Sequence, residues 1–193
     1  MYENNKIQNN LEDILGNIIF SELNTEEIKN NLLDNFNRYQ EIKRCYRYEN
    51  GNWTIKNNEY VENWDKNKKD HKIINFSHIL NTGSGYIFGA FDNNVLVGYA
   101  VLFNKKFGSI GQYIQLFSLQ VSFDYRNKGI GKKLFGLCIE KAKNIGISKL
   151  YISANSSEET IKFYLSIGCK DAMEINKEQA EEEPFDRQME YGI

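Results

Sequence analysis

The chain has 193 residues, 41% hydrophobic and 26% charged, with a net charge of −2 and one proline. That is the composition of a folded domain with its own core, and it excludes a disordered chain, a Pro-rich linker protein and a strongly basic nucleic-acid binder. No stretch approaches the roughly 20 apolar residues that a membrane helix needs, and the Asn-rich start lacks the cationic and apolar regions of a signal peptide.

Met1 to Leu15 reads as a short helix and Asn17–Glu22 as a first strand. Asn24-Thr25-Glu26-Glu27 places a polar cap before first-turn acids, which predicts a helix running to about Phe36. Asn50-Gly51-Asn52 lies between Tyr46-Arg47-Tyr48 and Trp53-Thr54-Ile55, a turn between strand formers. Asp65 to Leu80 reads as helix and Asn81 to Gly85 as loop. Tyr86–Phe91, Asp92-Asn93-Asn94 and Val95–Phe103 form a hairpin pattern. Tyr113–Val121 is apolar on both faces, so it is expected to be central and covered on each side.

A helix is expected from about Gly129, with Ile130, Leu134, Leu137, Cys138, Ala142 and Ile145 on one face and Gly146 at its C-cap. Lys149–Ala154 is the next strand. Ser156 or Ser157 caps a further helix ending near Gly168. The tail from Asp171 returns as one or two strands around Glu183-Pro184-Phe185-Asp186. The order predicts a mixed α/β sheet with helices on its faces. Cys45, Cys138 and Cys169 form neither a disulfide framework nor a zinc pattern, and His71 and His78 have no partner at metal-ligand spacing. The expectation is a metal-free, reduced, cytoplasmic protein.

The segment from Val121 to Gly131 carries the chemistry. Gly129 and Gly131 permit a tight turn and a close backbone approach. They open a helix whose first amides are unpaired and whose dipole favours anions. Arg126, Lys128, Lys132 and Lys133 add positive charge. A phosphate or pyrophosphate is therefore expected here. No Gly-Lys-Ser/Thr follows, and there is no third glycine, so neither the Walker nor the dinucleotide pattern is met.

At Leu119-Gln120-Val121-Ser122-Phe123-Asp124-Tyr125-Arg126-Asn127-Lys128-Gly129-Ile130-Gly131 the chain resembles the GNAT superfamily of acetyltransferases, with Phe123 and Asn127 at a common proline and a common glycine. Tyr164 and Gly168 match the later helix of that family, while Ser157, Thr160 and Cys169 depart from it.

The resemblance implies a single acetyltransferase domain over 1–193, with an N-terminal extension at 1–16, an acetyl-CoA core at 113–168, and C-terminal strands and an acceptor-site loop at 171–193. It implies a GNAT-like, mostly antiparallel sheet splayed at the cofactor strand. Acetyl-CoA would be the acyl donor, with no metal. The strand edge at Leu119, Gln120 and Val121 would meet its pantetheine arm. The amides from Lys128 through Gly129, Ile130 and Gly131 to Lys132 would hold its pyrophosphate, with Asn127 in the same loop; Arg126 would support the loop or the phosphates, and Asn155 and Ser157 would add polar contacts. Tyr164 would meet the leaving thiolate.

An alkylammonium with a pKa of about 10 costs about 4 kcal/mol to deprotonate at pH 7. Many members of the family place a glutamate on the central strand for this step. Phe103 to Val121 holds no acid, so the base lies elsewhere, acts through water or is absent; Glu183 and Asp186 in the tail loop are the best candidates. The expected activity is acetyl transfer to a primary amine of a small molecule, with no nucleic-acid or membrane partner. A homodimer is left open, because many relatives pair. Alternatives are a protein amino-group acetyltransferase and a non-catalytic acyl-CoA sensor.

Overall fold

The computed structural model describes residues 16–193. The helix expected at Met1 to Leu15 lies outside the described residues. Among the described residues, seven strands form one sheet in the order β1 (Ile18–Glu22), β4 (Gly85–Asp92), β5 (Val95–Phe103), β6 (Tyr113–Val121), β7 (Lys149–Ala154), β9 (Arg187–Gly192) and β8 (Lys170–Asp171), and β2 (Gln40–Glu49) and β3 (Asn52–Glu62) form a separate ribbon. The chain divides into two compact units: residues up to Tyr39 with Asn63–Leu102 and Ser118–Cys138, and Gln40–Glu62 with Phe103–Phe117 and Ile139–Ile193.

In the first unit, β1 (Ile18–Glu22) pairs antiparallel with β4 (Gly85–Asp92). A two-residue turn leads from β4 to β5 (Val95–Phe103). Asn93 and Asn94 hold φ of 46° and 68° there, the left-handed pair that a tight hairpin requires and asparagine tolerates. Helix α1 (Lys66–Thr82) starts on Asp65, whose carboxylate accepts the Lys68 amide at 2.8 Å, and stops at Gly83 with φ of 63°. It buries Ile73, Phe76 and Ile79. Tyr99 is fully buried, with Phe36 and Phe76 at ring distances of 5.6 and 5.0 Å.

The helix expected from Asn24 to Phe36 is not formed. The cap is real: Asn24 and Glu27 make a reciprocal capping box. Only a 3-10 turn over Thr25–Glu27 follows, and Ile28 leaves helical geometry at ψ of 79°. Asn30, Asn31, Asp34 and Asn35 are poor helix formers because their side chains compete for backbone partners. Burial then wins over propensity: three-residue turns at Leu32, Asp34 and Phe36 deliver Leu33 and Phe36 to the core, each 1% exposed.

The second unit holds the ribbon of β2 (Gln40–Glu49) and β3 (Asn52–Glu62), turned at Asn50 and Gly51 with φ of 51° and 82°. It also holds β7 (Lys149–Ala154), which pairs antiparallel with β9 (Arg187–Gly192), and the short β8 (Lys170–Asp171) beside β9. The tail contains an unexpected helix, Lys177–Glu182, capped by Asn176.

Strand β6 (Tyr113–Val121) lies between β5 and β7 in the strand order. It pairs in parallel with β7 from Tyr113↔Lys149 to Gln115↔Tyr151, and the pairing then stops. Covering on both sides therefore holds for Tyr113 to Leu116 only; Phe117 is 41% exposed, and Ser118 to Val121 are half-buried. A fully buried carboxylate, Glu190, ties the paired end together. It accepts Lys149 Nζ at 3.0 Å, the Met173 amide at 3.0 Å and the Tyr113 hydroxyl. Burial acts to raise its pKa, but these donors outweigh burial and hold it down to about 2.

Helix α2 (Ile130–Asn144) follows β6 and ends at Gly146, whose φ is 75°. Helix α3 (Glu158–Ser166) follows β7. Ser157 stands at its N-cap, but the Ser157 hydroxyl donates to Thr160 Oγ1 at 2.8 Å rather than accepting a helix amide.

Candidate functional site

The first unit holds the loop between β6 and α2. Ser122 leaves the strand with its amide on the Val97 carbonyl at 2.8 Å, and its hydroxyl accepts the Asn37 amide at 3.0 Å. The Phe123 amide returns to the Asn37 carbonyl at 2.8 Å. Tyr125 donates its hydroxyl to Asp92 at 2.8 Å. Arg126 Nε donates to the Val121 carbonyl at 3.1 Å, and its guanidinium lies 5.5 Å from the Phe123 ring. Arg126 is thus a brace that fixes the loop's exit.

Beyond this brace, Asn127 and Gly129 hold φ of 60° and 81°. Residues alternating through the left-handed region turn successive amides inward and make a concave anion seat. The Lys133 amide bonds the Gly129 carbonyl at 3.0 Å, which begins the helical ladder. The N–H groups before it have no carbonyl four residues back in helical position, so they face outward. Lys128 rests 4.9 Å from the Tyr125 ring centre, while Lys132 and Lys133 are exposed. Ile130 and Leu134 are buried, at 1% and 0% exposure, and so anchor the helix start. They press so close to β5 that a Cβ on Gly98 would stand 2.9 Å from Ile130 Cγ2 and 3.1 Å from Leu134 Cδ1. The ten residues from Leu119 to Lys132 named from the sequence thus form one continuous piece: a half-buried strand end, a braced turn and a helix start. The seat suits a pyrophosphate in shape and charge. A hollow of about 620 Å³ in the same unit, lined by Asn24, Glu27, Leu32, Phe91 and Leu96 among others, includes none of them.

The second unit holds the other predicted residues. Tyr164 is on α3, 6% exposed, with its ring edge-on to Phe163 at 5.2 Å. Asn155 Oδ1 accepts the Ser157 amide at 3.0 Å, and Ser157 is 1% exposed. Both therefore shape the turn into α3. The ribbon docks on this turn: the Tyr46 amide donates to the Ser156 carbonyl at 2.7 Å, and Arg44 makes two bonds to Glu158 at 2.7 and 2.9 Å.

Asp186 is half-buried and closes a turn on Glu183, its amide 3.0 Å from the Glu183 carbonyl. Burial, then the Glu183 charge, push its carboxyl up to about 6; Ser153 opposes this with a hydrogen bond of 3.3 Å, and Glu62 adds a smaller upward push. Glu183 itself is exposed, as are Glu181 and Glu182. Ser153 and Glu62 were not singled out from the sequence. Ser153 had a readable signal, since it alternates with Tyr151 on one face of a strand. Glu62 had none, because its approach to Asp186 depends on how the ribbon folds back. The three cysteines are buried and free, and burial pushes the Cys169 thiol up to about 12.

Comparison with protein-family models matches residues 39–168 to the acetyltransferase (GNAT) family. The chain belongs to the GNAT family. Acetyl-CoA-dependent acyl transfer is therefore its class of reaction, with acetyl-CoA as donor. Comparison with curated protein sequences gives no match. Among solved structures, the GNAT fold recurs in a nourseothricin acetyltransferase at 14% identity and a TM-score of 0.62, covering 91% of this chain and 98% of that one. A protein from Bacillus anthracis str. Ames, provisionally named a streptothricin acetyltransferase and solved with acetyl coenzyme A, shares 17% identity at a TM-score of 0.65, with coverage of 91% and 97%. A ribosomal-protein-alanine N-acetyltransferase from Brucella melitensis biovar Abortus 2308 shares 19% at 0.54, with coverage of 82% and 96%. At these identities the likeness is one of fold. Among the described residues, no helix is long and apolar enough to cross a membrane, and no three His, Cys, Asp or Glu side chains are grouped to hold a metal.

Proposed function

We propose that this GNAT protein acetylates a primary amine of a small molecule, with Asp186 as base and Tyr164 as the group that meets the leaving thiolate. The observation that carries this reading is the half-buried Asp186 carboxyl, raised to about 6. A base at that value is still mostly ionised at pH 7. Against an alkylammonium at about 10, it faces a gap of about four units, where an ordinary aspartate faces about six. The shift removes about 3 kcal/mol from the proton transfer, at about 1.4 kcal/mol per unit.

In this reading the loop from Arg126 to Lys132 holds the pyrophosphate of acetyl-CoA, and Leu119 to Val121 offer backbone groups to its pantetheine arm. Asp186 takes one proton from the ammonium. The amine nitrogen then attacks the thioester carbon, the C–N bond forms and the C–S bond breaks. Tyr164 gives its phenolic proton to the thiolate, and the remaining acidic N–H proton of the forming amide makes good that loss. Glu183 serves through its charge, which raises the proton affinity of Asp186. A small acceptor is supported by the ribbon and the tail loop, which stand together around Asp186: Glu62 acts on it, and Arg47 lies 5.0 Å from the Phe185 ring. An acceptor site closed in by the ribbon and the tail loop would suit a small amine rather than a peptide.

Release of free coenzyme A thiol should be measured over polyamines, amino sugars, amino acids, streptothricin-type antibiotics and peptides with free N-termini. Turnover confined to small amines is expected. Tyr164→Phe should lower kcat more than acetyl-CoA affinity; the opposite ranking makes Tyr164 a packing residue. The lack of an acid between Phe103 and Val121 favours a second reading, a non-catalytic acyl-CoA sensor. Acetyl-CoA binding without thiol release from any amine would decide for it.

A further inference from the structure

Asp186 stands at the end of a chain of hydrogen bonds that runs in one direction. The Asn176 amide donates to the Tyr151 hydroxyl at 3.1 Å. The Tyr151 hydroxyl donates to Gln188 Oε1 at 2.5 Å. Gln188 Nε2 donates to Ser153 Oγ at 3.0 Å, and the Ser153 hydroxyl donates to Asp186 Oδ2 at 3.3 Å. The strands place these groups. Tyr151 and Ser153 are two apart on β7, so they share a face, and Ser153 pairs with Gln188 across the β7–β9 ladder.

The direction is set at the carboxylate end. An ionised carboxylate only accepts, so the Ser153 hydroxyl donates to Asp186 and its oxygen accepts from the Gln188 NH₂. The Gln188 carbonyl then faces Tyr151, whose hydroxyl donates to it while accepting the Asn176 amide. Gln188 Nε2 also reaches the Asp186 carbonyl at 3.3 Å and so grips the backbone of the residue it serves. The Ser153 proton is thereby committed to Asp186 Oδ2. The chain cannot conduct protons, because the amide at its head has none to release. What it can do is orient.

We infer that Ser153 and Gln188, backed by Tyr151, are positioning residues that pin Oδ2 of Asp186 and leave Oδ1 to take the proton of the acceptor ammonium. This rests on the reading of Asp186 as the base. A carboxylate held at one oxygen presents the other in a fixed direction, which is what a proton transfer needs. The charged groups acting on it are Glu183 from its own loop and Glu62 from β3, and both disfavour its ionised form. Ser153 is the neighbour that favours that form. Removing its donor therefore moves the titration of Asp186 upward.

The test titrates the Asp186 side-chain carboxyl carbon by NMR in the full chain, which needs no acceptor, and records kcat/KM against pH with an amine that is turned over. Ser153→Ala should raise the carboxyl titration by about 0.5–1 pH unit and move the acidic limb of kcat/KM with it. Ser153→Thr, which keeps the hydroxyl, should restore both. Gln188→Met should move them the same way by less, and the double variant should add little to Ser153→Ala, since the links act in series. An unmoved carboxyl titration in both Ser153→Ala and Gln188→Met overturns the positioning role, whatever the kinetics. A titration that moves while the acidic limb stays, with the limb surviving Asp186→Asn, overturns the base assignment instead.

Discussion

Replacing Asp186 by Asn keeps the shape and removes the charge, and its two consequences have opposite signs. The free carboxyl titrates at 3.8 and the folded one at about 6. Between those values the folded state binds more protons than the unfolded one, so the contribution of Asp186 to stability is fully present below pH 4 and is lost as the pH rises through 6. The shift of about two units corresponds to about 3 kcal/mol at about 1.4 kcal/mol per unit, an upper bound because the group is partly solvated. Asp186→Asn has no charge to bury. Its stability relative to the parent should be near zero at pH 4 and higher by about 1–3 kcal/mol at pH 8. Urea denaturation of both proteins at the two pH values reads this difference and cancels every group they share. Activity should move the other way: kcat/KM should fall by about 10²-fold or more at pH 7.5, and the acidic limb near pH 6 should vanish. A variant that is less stable at pH 8, or that keeps the acidic limb, refutes the reasoning. The first outcome would mean that Asp186 is a structural partner, and the second that another group is the base.

Other perturbations follow from single distances and angles. Gly129→Asp should remove measurable acetyl-CoA binding in calorimetry, because a carboxylate enters the anion seat at a φ of 81° that side chains resist. Gly98→Ala should cost about 1–3 kcal/mol in thermal denaturation by overpacking against Ile130 and Leu134, and should weaken acetyl-CoA binding by displacing the helix start. Glu190→Gln should destabilise by about 3 kcal/mol at neutral pH, since it breaks a buried pair with Lys149. That loss should shrink as the pH falls from the unfolded carboxyl value, about 4.5, toward 2, where the parent carboxylate is itself protonated.

Local chemistry was readable along the chain wherever it did not depend on partners. The bounds of β6 and β7, the Gly146 cap, the hairpin at Asn93-Asn94 and the glycine turn before α2 follow from periodicity and from turn residues. Each is decided within about a dozen neighbouring residues. The stretch after Glu27 was misread for the complementary reason. Its cap was locally correct, but the burial of Leu33 and Phe36 is a tertiary demand that outweighed it. The coverage of β6 was misread in the same way, because an apolar strand does not declare where its pairing ends.

The turn between β6 and α2 was therefore determined by the sequence itself, since its residues are consecutive. The environment of Asp186 was decided by the tertiary structure alone. Ser153, Gln188 and Glu62 come from three different strands, and their effect on one carboxyl depends on distance and burial, which no spacing along the chain encodes.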